Sequence, residues 1–239
     1  MTVRLEIVAI EAWPDRVADE LIARVREQPA LRLCLPSGDT PSKLFSRLVA
    51  RAAAGEVSFE DATIVLLDEF LGLAADDPAR CDVRLNRELL SNLRPAPAGI
   101  HTIDADAPDH DAAARAHDAV AALGLDLALL GLGINGHVGL NEPGSGPDSP
   151  MRVVGIAAAT QEAALGRYGA GSAPVTGITL GMDRLLAARE VWLLVTGARK
   201  ADILARALHG PEGGDCPASF LRRHRRLWVI ADKAAAAQL

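Results

Sequence analysis

Residues 126–143, DLALLGLGINGHVGLNEP, join a short apolar run to a glycine-rich segment. Residues 127–130 are all apolar, which is typical of a parallel strand that is buried on both faces. Glycines follow the run at close intervals, so we expect the chain to leave the sheet through a loop whose backbone favours residues without a Cβ. The stretch predicts an α/β fold with an open, mostly parallel sheet flanked by helices.

Three polar side chains stand in this loop, namely Asn135, His137 and Glu142. Open α/β sheets bind their ligands outside the carboxyl ends of the strands, and the loop follows such an end. A histidine titrates near neutral pH, so it can act there as an acid or a base. The alternative is a hydrogen-bonded loop histidine beside a solvated glutamate, and the spacing alone does not decide between the two.

The composition fits one domain with free thiols. A chain of 239 residues, 49% of them apolar, can bury a substantial core, and we expect a single domain over residues 1–239. Its net charge of −6 disfavours a nucleic-acid binder, because affinity for the phosphate backbone depends on clustered Lys and Arg. Cys34, Cys81 and Cys216 are scattered and form no CxxC pair, which fits a reducing compartment better than a disulfide framework or a zinc site.

The N-terminal residues predict a strand and not a targeting signal. Arg4 and Glu6 interrupt the apolar residues of the first ten, so the segment lacks the continuous core of a signal peptide. No window of the sequence approaches the length of an apolar membrane span. We therefore expect a cytoplasmic protein that binds neither nucleic acid nor membrane. Residues 94–108, rich in Pro, Ala and Asp, are predicted to form a long surface connection.

A second turn of functional character follows the strand predicted at residues 31–35. It consists of Ser37, Gly38, Asp39 and Thr40. We expect Thr40 to be the N-cap of the next helix, and the N–H groups and hydroxyls at such a helix start suit a phosphate. The same residue types are also ordinary turn and capping residues. The Asp39 carboxylate would repel a phosphate unless it points away.

Two adjacent carboxylates, Asp68 and Glu69, follow the apolar strand predicted at residues 63–67. Adjacent side chains of an extended segment point to opposite faces, so we expect only one of the two to face the cleft. A partly desolvated carboxylate at that place can act as a base near neutral pH. A solvated or helix-capping acidic pair is the simpler alternative.

Later in the chain, residues 144–175 are predicted to contain a lid, because they are rich in Gly, Ser and Ala. Arg152 and Arg167 lie within this segment, and a lid over an anionic substrate needs such a donor. Lys200 follows another apolar strand and falls in the first turn of a helix. The helix dipole disfavours a cation there, which indicates a ligand-facing role; a surface lysine is the alternative.

Together these segments resemble the glucosamine-6-phosphate deaminase family, which shares its fold with the 6-phosphogluconolactonases. Residues 36–41 are similar to the family's phosphate loop, residues 67–70 to its base-bearing segment, and residues 133–137 with 141–143 to its ring-opening segment. Lactonases typically continue after the Gly-His pair with Thr-Ala-Ser, whereas this chain has VGLNEP. The resemblance covers nearly the entire chain and implies a modified Rossmann-like fold with deaminase activity.

The resemblance also implies a role for each matching residue. Asp68 is the expected base, which moves a proton between C2 and C1 of the open-chain sugar. His137 is expected to carry the proton that opens the sugar ring, with Asn135 and Glu142 holding the imidazole. The expected phosphate ligands are Ser37, Gly38, Asp39, Thr40, Arg167 and Lys200. Arg167 matches the family's lid arginine only after a shift of one residue.

The implied reaction turns glucosamine 6-phosphate and water into fructose 6-phosphate and ammonia, without a metal or an organic cofactor. The chain departs from the family at Arg80, Cys81 and Asp82, where a Ser-Tyr segment is common, and this leaves the amino sugar open. It also lacks the C-terminal extension of allosteric hexameric relatives, so we expect a monomer or a small homo-oligomer. A lactone hydrolase that uses His137 to activate water and a non-catalytic sugar-phosphate sensor remain as alternatives.

Overall fold

The computed structural model describes residues 3–168 and 173–239, with the side chains of 165–168 also outside the description. Strands and helices alternate through the first half of the chain. The elements are β1 (Arg4–Val8), α1 (Trp13–Glu27), β2 (Arg32–Leu35), α2 (Asp39–Ala53), β3 (Thr63–Leu66), β4 (Asp68–Phe70), α3 (Cys81–Glu88), β5 (Gly99–His101) and α4 (His110–Ala121). A short 3-10 helix, Leu90–Asn92, follows α3.

The second half of the chain adds five strands and three helices within the described residues. They are β6 (Leu127–Gly131), β7 (Arg152–Gly155), α5 (Ala158–Tyr168), β8 (Thr176–Thr179), α6 (Met182–Ala187), β9 (Glu190–Val195), α7 (Ala201–His209) and β10 (Leu227–Asp232). Two further 3-10 helices span Ala198–Lys200 and Pro217–Arg223.

Two sheets organise these elements. Seven strands form a parallel sheet in the order β1-β10-β9-β6-β2-β3-β5. A smaller antiparallel sheet has the order β4-β8-β7. The open, mostly parallel sheet flanked by helices that the sequence predicts is confirmed. The small sheet was not predicted. Its first strand, β4, begins almost directly after the end of β3.

Apolar layers cover both faces of the large sheet, which explains why its inner strands read as unbroken apolar runs. In β2, Leu33 and Leu35 belong to the layer under α1, α2 and α3, whereas Cys34 belongs to the layer under α4, α6 and α7. Trp13 and Phe45 fill the first layer and are fully buried. A sheet held between two such layers is a rigid support for the loops at its ends.

The structure corrects two predictions. Residues 94–108 are not only a surface connection, because β5 lies within them and pairs with β3 at the edge of the large sheet. Thr40 is not the N-cap of α2. The helix begins at Asp39 after Gly38, whose φ of +136° suits a residue without a Cβ. The Thr40 hydroxyl instead lies 3.1 Å from the hydroxyl of Thr196, so it ties α2 to the end of β9.

Residues 144–175, predicted to contain a lid, include β7 and α5, and residues 169–172 among them lie outside the described part. α5 follows β7 after two residues and contributes Ala159, Thr160 and Ala163 to the wall of the cleft described below. Across residues 3–168 and 173–239, no helix is both long enough and apolar enough to span a membrane.

Candidate active site

A cleft of about 1030 Å³ lies where four neighbouring strands of the large sheet end. β9, β6, β2 and β3 are consecutive in that sheet, and the segment after each of them lines the cleft. The predicted site residues found in its wall are Ser37, Gly38, Asp39, Thr40, Asp68, His137 and Lys200. Open α/β sheets bind their ligands outside the carboxyl ends of parallel strands. Each of these residues lies in a segment that follows such an end.

The His137 loop, which we define as residues 132–142, holds the imidazole close to the backbone. The Gly133 N–H donates to the His137 carbonyl at 2.9 Å and closes the turn. A Cβ on Gly133 would collide with the imidazole, so the ring lies directly against this glycine. Gly136 has a φ of +88° and packs against Cys216. Glycine is needed at both positions, at the first for space and at the second for backbone conformation.

Asn135 and Glu142 fix the orientation of the His137 ring from behind the cleft wall. Asn135 Nδ2 donates to Glu142 Oε2 at 2.7 Å, which leaves Asn135 Oδ1 as an acceptor. His137 Nδ1 lies 2.8 Å from that oxygen and 3.2 Å from Glu142 Oε2. These acceptors assign the hydrogen to Nδ1 and leave Nε2 with a lone pair that can take a proton.

Glu142 supplies a negative charge to this network. Burial by itself raises the pKa of Glu142, but hydrogen bonds with His137, Thr160 and Asn135 and the charge of His137 outweigh it. The pKa of Glu142 is therefore held below its usual value. Because Asn135 is uncharged, Glu142 is the group that can stabilise a positive imidazolium in this loop.

Asp68 lies in the small sheet, at the first position of β4, where it pairs with Thr179 of β8. It is 8% exposed. Burial raises the pKa of Asp68 to about 6, although the charge of His137 and a hydrogen bond from Cys81 act in the opposite direction. A carboxylate with this pKa is largely ionised at pH 7 and remains basic enough to accept a proton, as a general base must.

Glu69 points away from the cleft, as the alternation along an extended strand predicts. It is fully buried, and its carboxylate accepts backbone N–H groups of Phe70 at 2.7 Å and of Cys81 and Asp82 at 2.8 Å. Cys81 and Asp82 begin α3, so Glu69 caps that helix. Burial raises the pKa of Glu69 against the effect of these donors. The helix-capping alternative from the sequence therefore describes Glu69 but not Asp68.

Lys200 closes the cleft on the side of β9. Its Nζ donates to the Leu132 carbonyl at 2.6 Å, which directs the ammonium toward the loop that follows β6. The residue lies in the 3-10 turn before α7 and not within the helix itself, a shift of one residue from the prediction. Neighbouring Arg199 and Lys43 of α2 also line the cleft. Among the described residues, three cationic side chains thus line the cleft.

Of the two arginines predicted in the lid, the structure describes the side chain of Arg152 only. Arg152 donates to Asn141 Oδ1 at 3.2 Å and to Ser145 Oγ at 2.8 Å, so it braces the end of the His137 loop and does not line the cleft. Arg167 belongs to α5, and its side chain lies outside the described residues.

Among the residues of the cleft wall that sequence reasoning missed are Lys43, Arg199 and Thr160. The Thr160 hydroxyl lies 3.2 Å from His137 Nδ1, so α5 reaches the imidazole. Thr160 lies in a helix of the predicted lid, and no sequence motif marks it as a site residue. Lys43 is three residues after Thr40, and Arg199 is next to Lys200. This closeness in sequence to two predicted ligands is the signal that could have identified both residues.

Cys34, Cys81 and Cys216 are free and buried. Burial raises the pKa of Cys34 and, together with the carboxylates of Glu69 and Asp68, that of Cys81, so both thiols stay protonated. Within the described part of the chain, no cluster of three or more His, Cys, Asp or Glu side chains is arranged to hold a metal ion.

Residues 8–229 match the family model described as glucosamine-6-phosphate isomerases/6-phosphogluconolactonase. The chain is 40% identical over 228 residues to a glucosamine-6-phosphate deaminase of Cutibacterium acnes, covering 94% of this chain and 87% of that protein. It is 36% identical over 245 residues to one of Rhodopirellula baltica, covering 98% and 97%.

Solved structures give the same picture of the fold. A monomeric glucosamine-6-phosphate deaminase superposes with a TM-score of 0.95 at 29% identity, covering 99% of this chain and all of the other. A 6-phosphogluconolactonase from Trypanosoma cruzi has a TM-score of 0.80 at 20% identity, covering 100% of this chain and 97% of the other. The second likeness concerns the fold alone.

Proposed function

The chain belongs to the glucosamine-6-phosphate isomerase/6-phosphogluconolactonase family, and we propose that it acts as a glucosamine-6-phosphate deaminase. The observation that carries the proposal is that Asp68, His137 and the turn at Ser37 open into one cleft. An acid-base pair and an anion site around one small molecule are what the deamination of a sugar phosphate requires. The relatives with this activity match nearly the whole chain.

In the proposed mechanism, His137 opens the sugar ring. Its Nε2 takes the proton of the C1 hydroxyl and delivers a proton to the ring oxygen, which leaves an open-chain aldehyde. Glu142 stabilises the imidazolium during this transfer, and Asn135 keeps Nδ1 protonated. The supporting geometry is the hydrogen-bonded set of these three side chains behind the cleft wall.

Asp68 then moves the proton that converts the aldose into the ketose. Its carboxylate removes the C2 proton while O1 takes a proton from water, which gives an enolamine. Asp68 then returns its proton to C1 as the nitrogen releases one to water, which leaves a hydroxyl at C1 and an imine at C2. Water adds to the imine, and ammonia leaves to give fructose 6-phosphate. The raised pKa of Asp68 suits this role, because the group both accepts and returns a proton near neutral pH.

We assign the phosphate to the Ser37 turn, defined as residues 37–40. Its N–H groups lie at the start of α2, where the helix dipole favours an anion, and the hydroxyls of Ser37 and Thr40 add donors. Asp39 contributes its main-chain N–H. Lys200 provides a charged donor from the β9 side, and Arg167 is proposed to reach the phosphate from α5.

We further propose that the whole chain, residues 1–239, is one domain whose lid lies within residues 144–175. The contact of Thr160 on α5 with His137 supports the lid. A monomer or small homo-oligomer is proposed on the likeness to a monomeric deaminase, and light scattering on the purified protein tests it. A cytoplasmic location fits the buried free cysteines.

The test is an end-point assay for ammonia with several hexosamine 6-phosphates, with fructose 6-phosphate measured in parallel. We expect glucosamine 6-phosphate to release the two products in equal amounts. Acid release from 6-phosphogluconolactone without ammonia from any amino sugar would identify a lactonase instead. Thermal stabilisation by sugar phosphates with no turnover of either substrate would identify a sensor.

A further inference from the structure

The Ser37 turn contains a feature that is unfavourable for binding a phosphate, the Asp39 carboxylate. Asp39 lines the cleft, and its side chain is 63% exposed. A carboxylate beside a phosphate raises the free energy of the bound state through charge repulsion. We propose that Arg84 is a positioning residue that holds the Asp39 carboxylate away from the phosphate, so that only the main chain of Asp39 faces the anion.

Arg84 makes the contact that this role requires. Its Nη2 donates to Asp39 Oδ1 at 3.0 Å, and the Arg84 side chain is only 8% exposed. Arg84 is not among the residues that line the cleft. It therefore acts on the ligand through Asp39 and not by direct contact.

The environment of Arg84 restricts the position of the guanidinium. Arg84 Nη2 also donates to Ser42 Oγ at 2.9 Å, and Arg84 Nε donates to Glu88 Oε1 at 2.8 Å. Ser42 in turn hydrogen-bonds to the Gly38 carbonyl at 2.6 Å and to Glu88. The planar guanidinium serves Glu88 through Nε and Asp39 and Ser42 through Nη2, whereas a lysine would have to serve all three from one nitrogen.

The helix that carries Arg84 is itself fixed relative to the cleft. Glu69 caps the start of α3 and immediately follows Asp68 in β4. The Arg84 contact with Asp39 therefore joins the helix anchored beside the proposed base to the proposed phosphate site. The position of the Asp39 carboxylate is determined by this helix and not by the turn alone.

The inference rests on the proposed phosphate site, and its test measures binding separately from turnover. Removing Arg84 also leaves Glu88 with the exposed Arg87 as its remaining charged partner among the described residues, so every variant carries Glu88→Gln. The series is E88Q, R84Q/E88Q and D39N/R84Q/E88Q, with R87Q/E88Q as the matched control. Arg87 is an exposed arginine of the same helix that contacts Glu88 and lies outside the cleft. Fructose 6-phosphate binding by calorimetry, KM and kcat are measured for each protein.

We expect R84Q/E88Q to bind fructose 6-phosphate about tenfold more weakly than E88Q, with a matching rise in KM, because the Asp39 charge is no longer held. D39N in that background should restore the affinity, and R87Q/E88Q should match E88Q. A structural role alone would not be rescued by removing the Asp39 charge.

Equal affinity of E88Q and R84Q/E88Q would overturn the inference, as would a triple variant that binds as weakly as R84Q/E88Q. If R84Q/E88Q does not fold, the single variant D39N decides. Affinity equal to or above that of the unmodified protein supports the inference, and weaker binding contradicts it because Asp39 would then bind the ligand through its carboxylate. Failure of the unmodified protein to bind fructose 6-phosphate would count against the phosphate site itself.

Discussion

The two sheets of this protein contribute to one cleft in different ways. The large sheet ends in the Ser37 turn, the His137 loop and the 3-10 turn Ala198–Lys200, which present N–H groups, an imidazole and cations. The small sheet contributes one carboxylate, Asp68, and leads through β7 into α5 and Thr160. The large sheet thus carries the proposed phosphate site and the proposed ring-opening acid-base group, and the small sheet carries the proposed base.

This difference also concerns stability. In the His137 loop, the imidazole Nδ1 lies within hydrogen-bond distance of Asn135 Oδ1 and Glu142 Oε2. Asp68 is buried with its pKa raised, which means that its charged form is held at a cost to the folded state. We expect substitution of Asp68 or His137 to reduce turnover, and substitutions at the proposed phosphate site in the Ser37 turn and at Lys200 to reduce affinity.

The largest expected effect is that of Asp68→Asn on turnover. The amide keeps the size of the side chain but cannot take the C2 proton, so we expect kcat for ammonia release to fall by about 10²–10⁴. KM should change little, because the phosphate site belongs to the other sheet. A variant that keeps full turnover would remove Asp68 from the mechanism.

The same substitution should raise stability in a pH-dependent way. The pKa of Asp68 is about 6 in the folded protein and 3.8 in its ordinary state. Ionisation of Asp68 therefore lowers the free energy of unfolding as the pH rises from about 4 to about 6. The stabilising contribution of the protonated carboxyl is complete below about pH 4 and is lost as the pH rises through about 6.

Asp68→Asn should therefore increase the free energy of unfolding by up to about 3 kcal/mol at pH 8 and by much less at pH 3.5. Urea unfolding at the two pH values measures the difference. A gain of the same size at both pH values would show that burial of the charge is not the cause.

For the large sheet, Lys200→Met should raise KM for glucosamine 6-phosphate by about 10–100-fold, because a charge-assisted hydrogen bond to the phosphate is lost. We expect kcat to stay within a few-fold of the unmodified enzyme. Lys233→Met, an exposed lysine outside the cleft, is the control. A fall in kcat at constant KM would contradict the division of roles between the sheets.

The smallest effect is expected for Thr160→Val, which keeps the shape of the side chain and removes the hydroxyl near His137 Nδ1. Loss of this hydroxyl, which lies near His137 Nδ1 and hydrogen-bonds with Glu142, should lower kcat by about 2–10-fold. Thr176→Val in β8, which does not line the cleft, should leave kcat unchanged. Equal rates for Thr160→Val and the control would mean that α5 does not act on the imidazole.

The sequence predicts the large sheet better than the small one for a physical reason. The inner strands β2, β3, β6 and β9 are buried on both faces, so each is an apolar run that needs no partner to be recognised. β5 has three residues, including Gly99 and His101, and shows neither an apolar run nor alternation. β4 and β7 depend on pairing with β8, which is distant in sequence from β4, so local pattern cannot reveal them.

In the candidate site, too, local sequence pattern located some residues and not others. Ser37, Asp68 and His137 could be located because each follows an apolar strand, and strand ends converge at one edge of a parallel sheet. The capping of α3 by Glu69 and the contact between Asp39 and Arg84 join residues 12 to 45 positions apart. Such contacts depend on the packing of α3 against α2 and β4, and no spacing in the sequence encodes that packing.

The most direct test of the account is a crystal structure of the protein with bound fructose 6-phosphate. We predict that the phosphate lies on the N–H groups of the Ser37 turn within reach of Lys200, and that C1 and C2 lie between the Asp68 carboxylate and the His137 ring. A sugar phosphate bound in the cleft with C2 beyond hydrogen-bond distance of Asp68, or bound outside the cleft, would contradict the claim that the two sheets surround one substrate.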